Sequence, residues 1–290
     1  MSTGRIAWLA RRGVVAVGGD DASAFLDDLV TADVTVAAPG RAVYAALLAP
    51  QGKVLFDFIV FRDGARILFD LPRASAADFV KRLTFYRLRA RVTIEDVSEA
   101  QRVAAAWGDA KPNLDGVAPD PRLAALGWRA IVAAGANIPP EYAAATEADY
   151  DAHRIGLGIP EGGIDFAYGE TFPHDADIDQ LGGIDFAKGC YVGQEVVSRM
   201  EHRGSARRRV VIVRGTGPLP ATGAAITAGG RPIGTLASSV GEIGLAMVRV
   251  DRAKEAMDQG LAVTADGAAL TLALPDWARF GWVARPGGEA

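Results

Sequence analysis

From about Arg207 onward the chain runs as short apolar stretches set between glycines, at residues 210–213, 233–240, 245–250 and 270–274. No stretch of that length builds a core alone. Strands so spaced bury their apolar faces by curling into a small barrel or stacking as a sandwich. A β-barrel or sandwich is therefore expected at the C-terminus. The change of texture places a boundary near residue 205, dividing the chain into residues 1–205 and 206–290.

Ahead of that boundary strand and helix signals alternate. Residues 13–17 form a short apolar run, and Asp20 or Asp21 is expected to cap a helix with Phe25, Leu26, Leu29 and Val30 on one face. Residues 42–48 and 53–61 read as antiparallel strands around the Pro50-Gln51-Gly52 turn, with a third at 67–71. A helix follows over 75–88, then strands over 91–97 and 104–107, and a Pro/Gly-rich loop over 108–127. Thr146, with Asp149 three residues on, is a capping pair for a helix that ends near Gly156-Leu157-Gly158. The expected class is α+β, with a first part long enough for two subdomains.

Several functions are excluded early. The formal charge of −4 argues against the whole molecule acting as a nucleic-acid magnet. Half of the residues are apolar at a mean hydropathy of +0.14, yet no run approaches the ~18 residues that span a membrane. The apolar patch near the N-terminus, Ile6 to Ala10, is too short for a secretory core. On these grounds a cytoplasmic protein without membrane partners is expected. Cys190 is the one cysteine, and His153, His174 and His202 are the only histidines. An intramolecular disulfide is impossible, and a self-contained Cys/His zinc or iron–sulfur site is not available.

The chemistry concentrates in Lys188-Gly189-Cys190-Tyr191-Val192-Gly193-Gln194-Glu195. It reads as a glycine-flanked loop feeding a helix whose buried face is Val192, Val196, Val197 and Met200, with Gln194 and Glu195 in the early turns. A cysteine ahead of a helix N-terminus feels the positive end of the dipole, and Lys188 folded back adds a second charge; both favour a thiolate. The plain alternative is a lone cysteine packed as a small hydrophobe.

This octapeptide resembles the K-G-C-Y-x-G-Q-E signature of the YgfZ-like branch of the folate-binding aminomethyltransferase superfamily, which includes mitochondrial iron–sulfur assembly factors. The resemblance extends to Val30-Thr31-Ala32-Asp33-Val34, to 50–57, to Arg154 with 158–162, and to 234–239 and 244–246. It implies a ring of ferredoxin-like α+β units with a C-terminal β-barrel, and a central cavity for tetrahydrofolate or a derivative. It also implies a role in assembly or repair of iron–sulfur clusters in client enzymes, tRNA-modifying ones among them. Lys188, Cys190 and Tyr191 would line the cavity mouth, within the motif completed by Gly189, Gly193, Gln194 and Glu195. Tyr150 falls where a relative stacks an aromatic ring on the pterin. Asp57 on its strand would orient a folate nitrogen. Arg154 belongs to the family's R-x-x-x-G-x-P segment, and Arg199 opens a basic run able to meet the folate's glutamate tail.

A true aminomethyltransferase, which shares this fold, carries two adjacent acids where Phe56-Asp57 stands. It also carries a glutamate where Gly156 follows Arg154 and Ile155. A non-catalytic or weakly catalytic role is therefore expected, with methyl transfer as the alternative. One thiolate cannot hold a cluster that usually takes four ligands. If Cys190 is a ligand, a carrier or client protein supplies the others; redox protection by the thiol is the rival role. Arg199, Arg203, Arg207, Arg208 and Arg209 form a run for an anion, an acidic partner or RNA, or a solvated edge. Without interleaved aromatics, direct RNA binding ranks below the others. His174, Asp175, Asp177 and Asp179 lack the register and glycine of a calcium loop.

Overall fold

The computed structural model describes residues 4–108, 110–204 and 206–283. It divides into two compact units, residues 1–150 with 181–196, and residues 151–180 with 197–290.

The first unit is built on two five-stranded sheets. Its elements are β1 (Gly4–Trp8), β2 (Arg12–Gly18), α1 (Ala22–Asp27), β3 (Val43–Leu48), β4 (Val54–Asp63), β5 (Arg66–Pro72), α2 (Ala76–Arg87), β6 (Thr93–Asp96), β7 (Gln101–Trp107), β8 (Ala118–Pro119), β9 (Trp128–Ala133) and β10 (Tyr142–Ala145). One sheet has the order β3-β4-β5-β2-β6 and is antiparallel throughout. The other has the order β10-β1-β7-β9-β8, in which β1 and β10 are parallel.

The three strands expected over 42–71 appear as β3, β4 and β5, with Ala49 and Gly52 closing the turn between the first two (Gly52 N to Ala49 O, 2.8 Å). One face of this sheet packs under α2. Phe79 of that helix lies 5.2 Å from Phe56, Phe58 and Phe69, centroid to centroid, in edge or tilted contact. Burying each such side chain contributes about 1.5–3 kcal/mol, so this aromatic group anchors the unit.

Two local expectations need correction. Asp21 precedes α1 but makes no side-chain cap; its carboxylate instead binds Arg91, seventy residues on, through backbone and guanidinium. That ion pair outcompetes the cap, and α1 closes at Asp27, so Leu29 and Val30 lie beyond the helix. The loop over 108–127 contains the short strand β8. By contrast, Thr146 and Asp149 form the expected reciprocal cap, with Oγ1 accepting from Asp149 N at 3.1 Å and Oδ2 from Thr146 N at 2.8 Å. The helix they start, α3 (Glu147–Gly156), runs from the first unit into the second, as does α4 (Gln194–Arg203).

The second unit is a closed barrel of six strands in the order β11-β14-β13-β12-β15-β16. These are β11 (Arg208–Gly215), β12 (Ala225–Ala228), β13 (Arg231–Val240), β14 (Ile243–Arg249), β15 (Val263–Ala265) and β16 (Ala268–Ala273). The helix α5 (Val250–Asp258) follows β14 and buries Val250, Ala253 and Ala256. Closure removes free sheet edges. The chain is thus α+β with a C-terminal β-barrel.

Candidate functional site

The loop 185–193 is fastened to the first unit at three places. Thr31, just past α1, is the first: Asp185 N donates to Thr31 O at 2.9 Å, and Thr31 Oγ1 donates to Gly183 O at 2.6 Å while accepting from Ala46 N at 2.8 Å. The Asp185 carboxylate then folds the loop back on itself by accepting from Ala187 N and Lys188 N at 2.8 and 3.2 Å, an aspartate turn.

Lys188 is the second. Its side chain is 3% exposed, and its ammonium donates to Asp27 O at 2.7 Å, Val30 O at 2.9 Å and Ala32 O at 3.4 Å, beside the Asp27 carboxylate at 2.9 Å. A helix leaves its last carbonyls without intrahelical donors, and a cation there satisfies them and opposes the negative dipole end. The charge that the sequence suggested for the thiol is committed to the last residue of α1 and to the segment just past it.

The third place is a pair of glycines. Gly193 has φ +85°, and a Cβ there would lie 2.7 Å from Ala49 O. Gly52 has φ +77°, and its Cβ would meet Val196 Cβ at 2.8 Å. The β3–β4 turn and the start of α4 therefore interlock at a separation only two glycines permit. Gly193→Ala is expected to cost about 2 kcal/mol, whereas Gly189→Ala, with nothing within 4 Å of the added carbon, should be close to neutral. Comparing the two melting temperatures checks this.

Between these fixings Cys190 is exposed and outside any disulfide. Beside it Tyr191 is 7% exposed; the Lys188 ammonium lies 5.7 Å from its ring centre. Burial, and secondarily the Asp185 carboxylate, push the Tyr191 phenol up to about 12. Gln194 is half-buried and Glu195 exposed in the first turn of α4, with Arg199 exposed one turn on. The result is an accessible soft ligand on a loop whose backbone is held on both sides.

A second constellation lies buried in the same unit. Asp70 on β5 accepts from Arg12 Nε at 2.6 Å and from Arg129 Nε at 2.7 Å. Arg129 and Arg122 both donate to the Tyr150 hydroxyl, at 3.1 and 3.0 Å, and Arg122 forms a forked pair with Asp120. The Tyr150 ring also faces Trp107, with centroids 5.9 Å apart. Arg122 lies over the Tyr44 ring, and the Tyr44 hydroxyl donates to Asp57 at 3.0 Å. Burial, then the neighbouring Asp57, push the Tyr44 phenol well above its ordinary value. Two of the expected folate residues, Asp57 and Tyr150, thus share one network with three arginines. Sequence reading missed Asp70, Asp120, Arg122 and Arg129, since an isolated charge on a strand or loop gives no local sign of its partner.

Arg154 belongs to the second unit. Fully buried, it binds Asp151 at 2.8 Å, Asp165 at 2.7 Å, Ile159 O at 3.1 Å and Ser238 on β13 at 3.3 Å. It ties the segment after α3 to the barrel. In the acidic run, Arg209 takes up the charge: it binds Asp179 through two bonds at 2.6 and 3.0 Å and Asp177 at 3.2 Å. His174 lies 3.2 Å from Glu201 in the same cluster.

Residues 10–137 match the model of the GCVT N-terminal domain, and residues 207–280 match that of the CAF17 C-terminal beta-barrel domain. The chain is 31% identical over 312 residues to the mitochondrial iron–sulfur cluster assembly factor IBA57 of Mus musculus, covering 94% of this chain and 86% of that protein. The Homo sapiens protein of that name is 30% identical, covering 92% and 83%. A Mycosarcoma maydis homolog is 35% identical over 72% of this chain, which spans only 57% of that relative. Among solved structures, the glycine cleavage system aminomethyltransferase T from Bartonella henselae superposes with a TM-score of 0.73 at 16% identity, over 95% of this chain and 86% of the other; this likeness is one of fold.

The expectation of a cytoplasmic protein is overturned by these relatives, which are named as mitochondrial. The sequence argument excluded a secretory core and an apolar span. A mitochondrial leader is amphipathic and needs neither.

Proposed function

The chain belongs to the family of the iron–sulfur cluster assembly factor IBA57, and from that premise we propose that it assists assembly or repair of iron–sulfur clusters on client enzymes through Cys190. The observation that carries this reading is the exposed thiol on a loop tied down by Asp185, Lys188 and Gly193. On binding, the thiol gives its proton to solvent and its sulfur to an iron of the cluster in transit. The remaining ligands come from a partner, an A-type carrier or the client itself, because this chain has one cysteine. A shared cluster suits hand-over better than storage. The resemblance to the YgfZ-like branch, and with it tRNA-modifying enzymes as clients, belongs to the same proposal.

Methyl transfer is disfavoured. Asp57 is preceded by Phe56 rather than a second acid, and Gly156 closes α3 where the transferase carries a glutamate. Cys190→Ser should fold as the parent does and fail to mature a client iron–sulfur enzyme. Client activation equal to the parent's would refute the role given to the thiol.

We further propose that the buried network of the first unit holds a reduced folate. The reading rests on the donor set alone: a carboxylate is an acceptor for the N–H edge of a pterin and a tyrosine ring stacks on its face, and here both are buried, Asp57 accepting from Tyr44 and the Tyr150 ring beside Trp107. Bound there, the folate supplies a reduced pterin able to carry one carbon or give up electrons. Asp57 would accept from the pterin, while Arg122 and Arg129 keep the Tyr150 hydroxyl in position. Asp57→Asn should weaken tetrahydrofolate binding about tenfold, the worth of a hydrogen bond to a charged group, as read by quenching of tryptophan fluorescence. Cys190→Ser should bind it unchanged.

A further inference from the structure

The C-terminal end of α2 and the turn after it form a surface that the cluster chemistry above does not use. Between Asp78 and Glu95 the sequence holds five cations, Lys81, Arg82, Arg87, Arg89 and Arg91, and no acid. Of the overall charge of −4 this stretch contributes +5, leaving −9 for the rest of the chain. Arg91 pairs with Asp20 and Asp21 at 3.2 and 3.1 Å. Lys81, Arg82, Arg87 and Arg89 are exposed and form no ion pair among the described residues.

Two large apolar side chains stand among these cations, Phe85 at 75% and Leu88 at 89% exposure. Leu88 is held there against its backbone preference, at φ 45° and ψ −103°. Ala90 N donates to Arg87 O at 2.8 Å, so residues 87–90 form a turn of the type II′ kind with leucine where glycine ordinarily sits. A non-glycine residue in the left-handed region carries strain. A side chain that points into solvent returns nothing for it within this chain.

We propose that this surface docks a protein partner that presents an apolar pocket ringed by aspartate and glutamate side chains. Three of the four unpaired cations, Arg82, Arg87 and Arg89, are arginines, whose forked guanidinium engages carboxylates through two parallel bonds. An aromatic and arginines around an apolar anchor have the composition of an interface hot spot. A fluid lipid surface would attract the same charges, but it gains nothing from a leucine fixed in one strained conformation. A pocket of defined shape does, because the anchor's entropy is lost before binding.

Taking the A-type carrier as the partner rests on the cluster-assembly reading. The test is titration of the apo-carrier onto the full chain at low and high salt. The Phe85→Asp/Leu88→Asp double variant should bind at least about tenfold more weakly, a loss of hot-spot size, and the parent's affinity should fall as salt rises. Leu88→Gly relieves the turn while removing the anchor, so it should melt no lower than the parent yet bind the carrier more weakly. Cys190→Ser should bind apo-carrier as the parent does. Equal binding by parent and patch variants overturns the docking surface even where cluster formation still depends on Cys190. Absence of carrier binding by the parent, at concentrations that support cluster formation, overturns it too. Patch-dependent sedimentation with vesicles of anionic phospholipid, with carrier binding unaffected, overturns it in favour of lipid.

Discussion

Asp70→Asn is expected to destabilise the first unit by about 3–5 kcal/mol, the usual cost of removing one partner from a buried ion network. Asp70 is fully buried and serves two guanidiniums at once, Arg12 on one oxygen and Arg129 on the other. The amide keeps the shape but leaves two buried cations short of a counter-charge. The effect depends on pH in a direction that can be worked out. Burial alone raises the Asp70 carboxyl, but Arg12 and Arg129 outweigh it and hold the group below its ordinary value. A carboxyl depressed in the folded state contributes stability in full above the unfolded value, near pH 4. That contribution is lost as the pH falls through the folded value. Chemical denaturation of parent and variant should show a constant gap at neutral pH that narrows below about pH 4. A gap that widened in acid would contradict the assignment.

Lys188→Met should be nearly as damaging, by about 2–4 kcal/mol, because three carbonyls and a carboxylate lose a nearly buried charged donor. Methionine fills the channel of the lysine stem and donates nothing. Lys188→Arg is not a conservative repair, since a planar fork cannot converge on carbonyls from residues 27, 30 and 32 as an ammonium does. Hydrogen exchange over 185–193 should rise in both variants. Cluster formation should fall even though Cys190 is intact. A lysine acting only on the thiol would leave exchange unchanged and shift only its alkylation rate.

These effects also mark how far the sequence was legible. Features set by neighbouring residues were read correctly: the Thr146–Asp149 cap, the Pro50–Gly52 turn between two strands, the loop feeding α4 and the glycine-spaced strands of the barrel. β12 and β15 left little trace, because 225–228 and 263–265 are short and mix alanine with threonine. β1 read only as an apolar patch at the N-terminus. Positions decided by distant partners were not legible. Asp21 looks like a cap until Arg91 claims it. Lys188 looks like a charge for its neighbouring thiol, until the carbonyls of residues 27, 30 and 32, at and just past the end of α1 and some 160 residues earlier, take its three protons. Asp70 in β5 reads as one polar residue in an apolar strand; only the pairing of β2 with β5, and the sheet that carries Arg129, make it the centre of a network.

The role proposed for the exposed thiol of the clamped loop is to bridge a cluster to a partner. The most direct measurement is anaerobic cluster reconstitution with an A-type carrier, followed by visible absorbance, with native Cys190 and with Cys190→Ser. The expected result is a cluster on the mixed complex that needs both proteins and the native thiol. Equal absorbance with Cys190→Ser would contradict it, and would move the working part of the molecule to the buried network of the first unit.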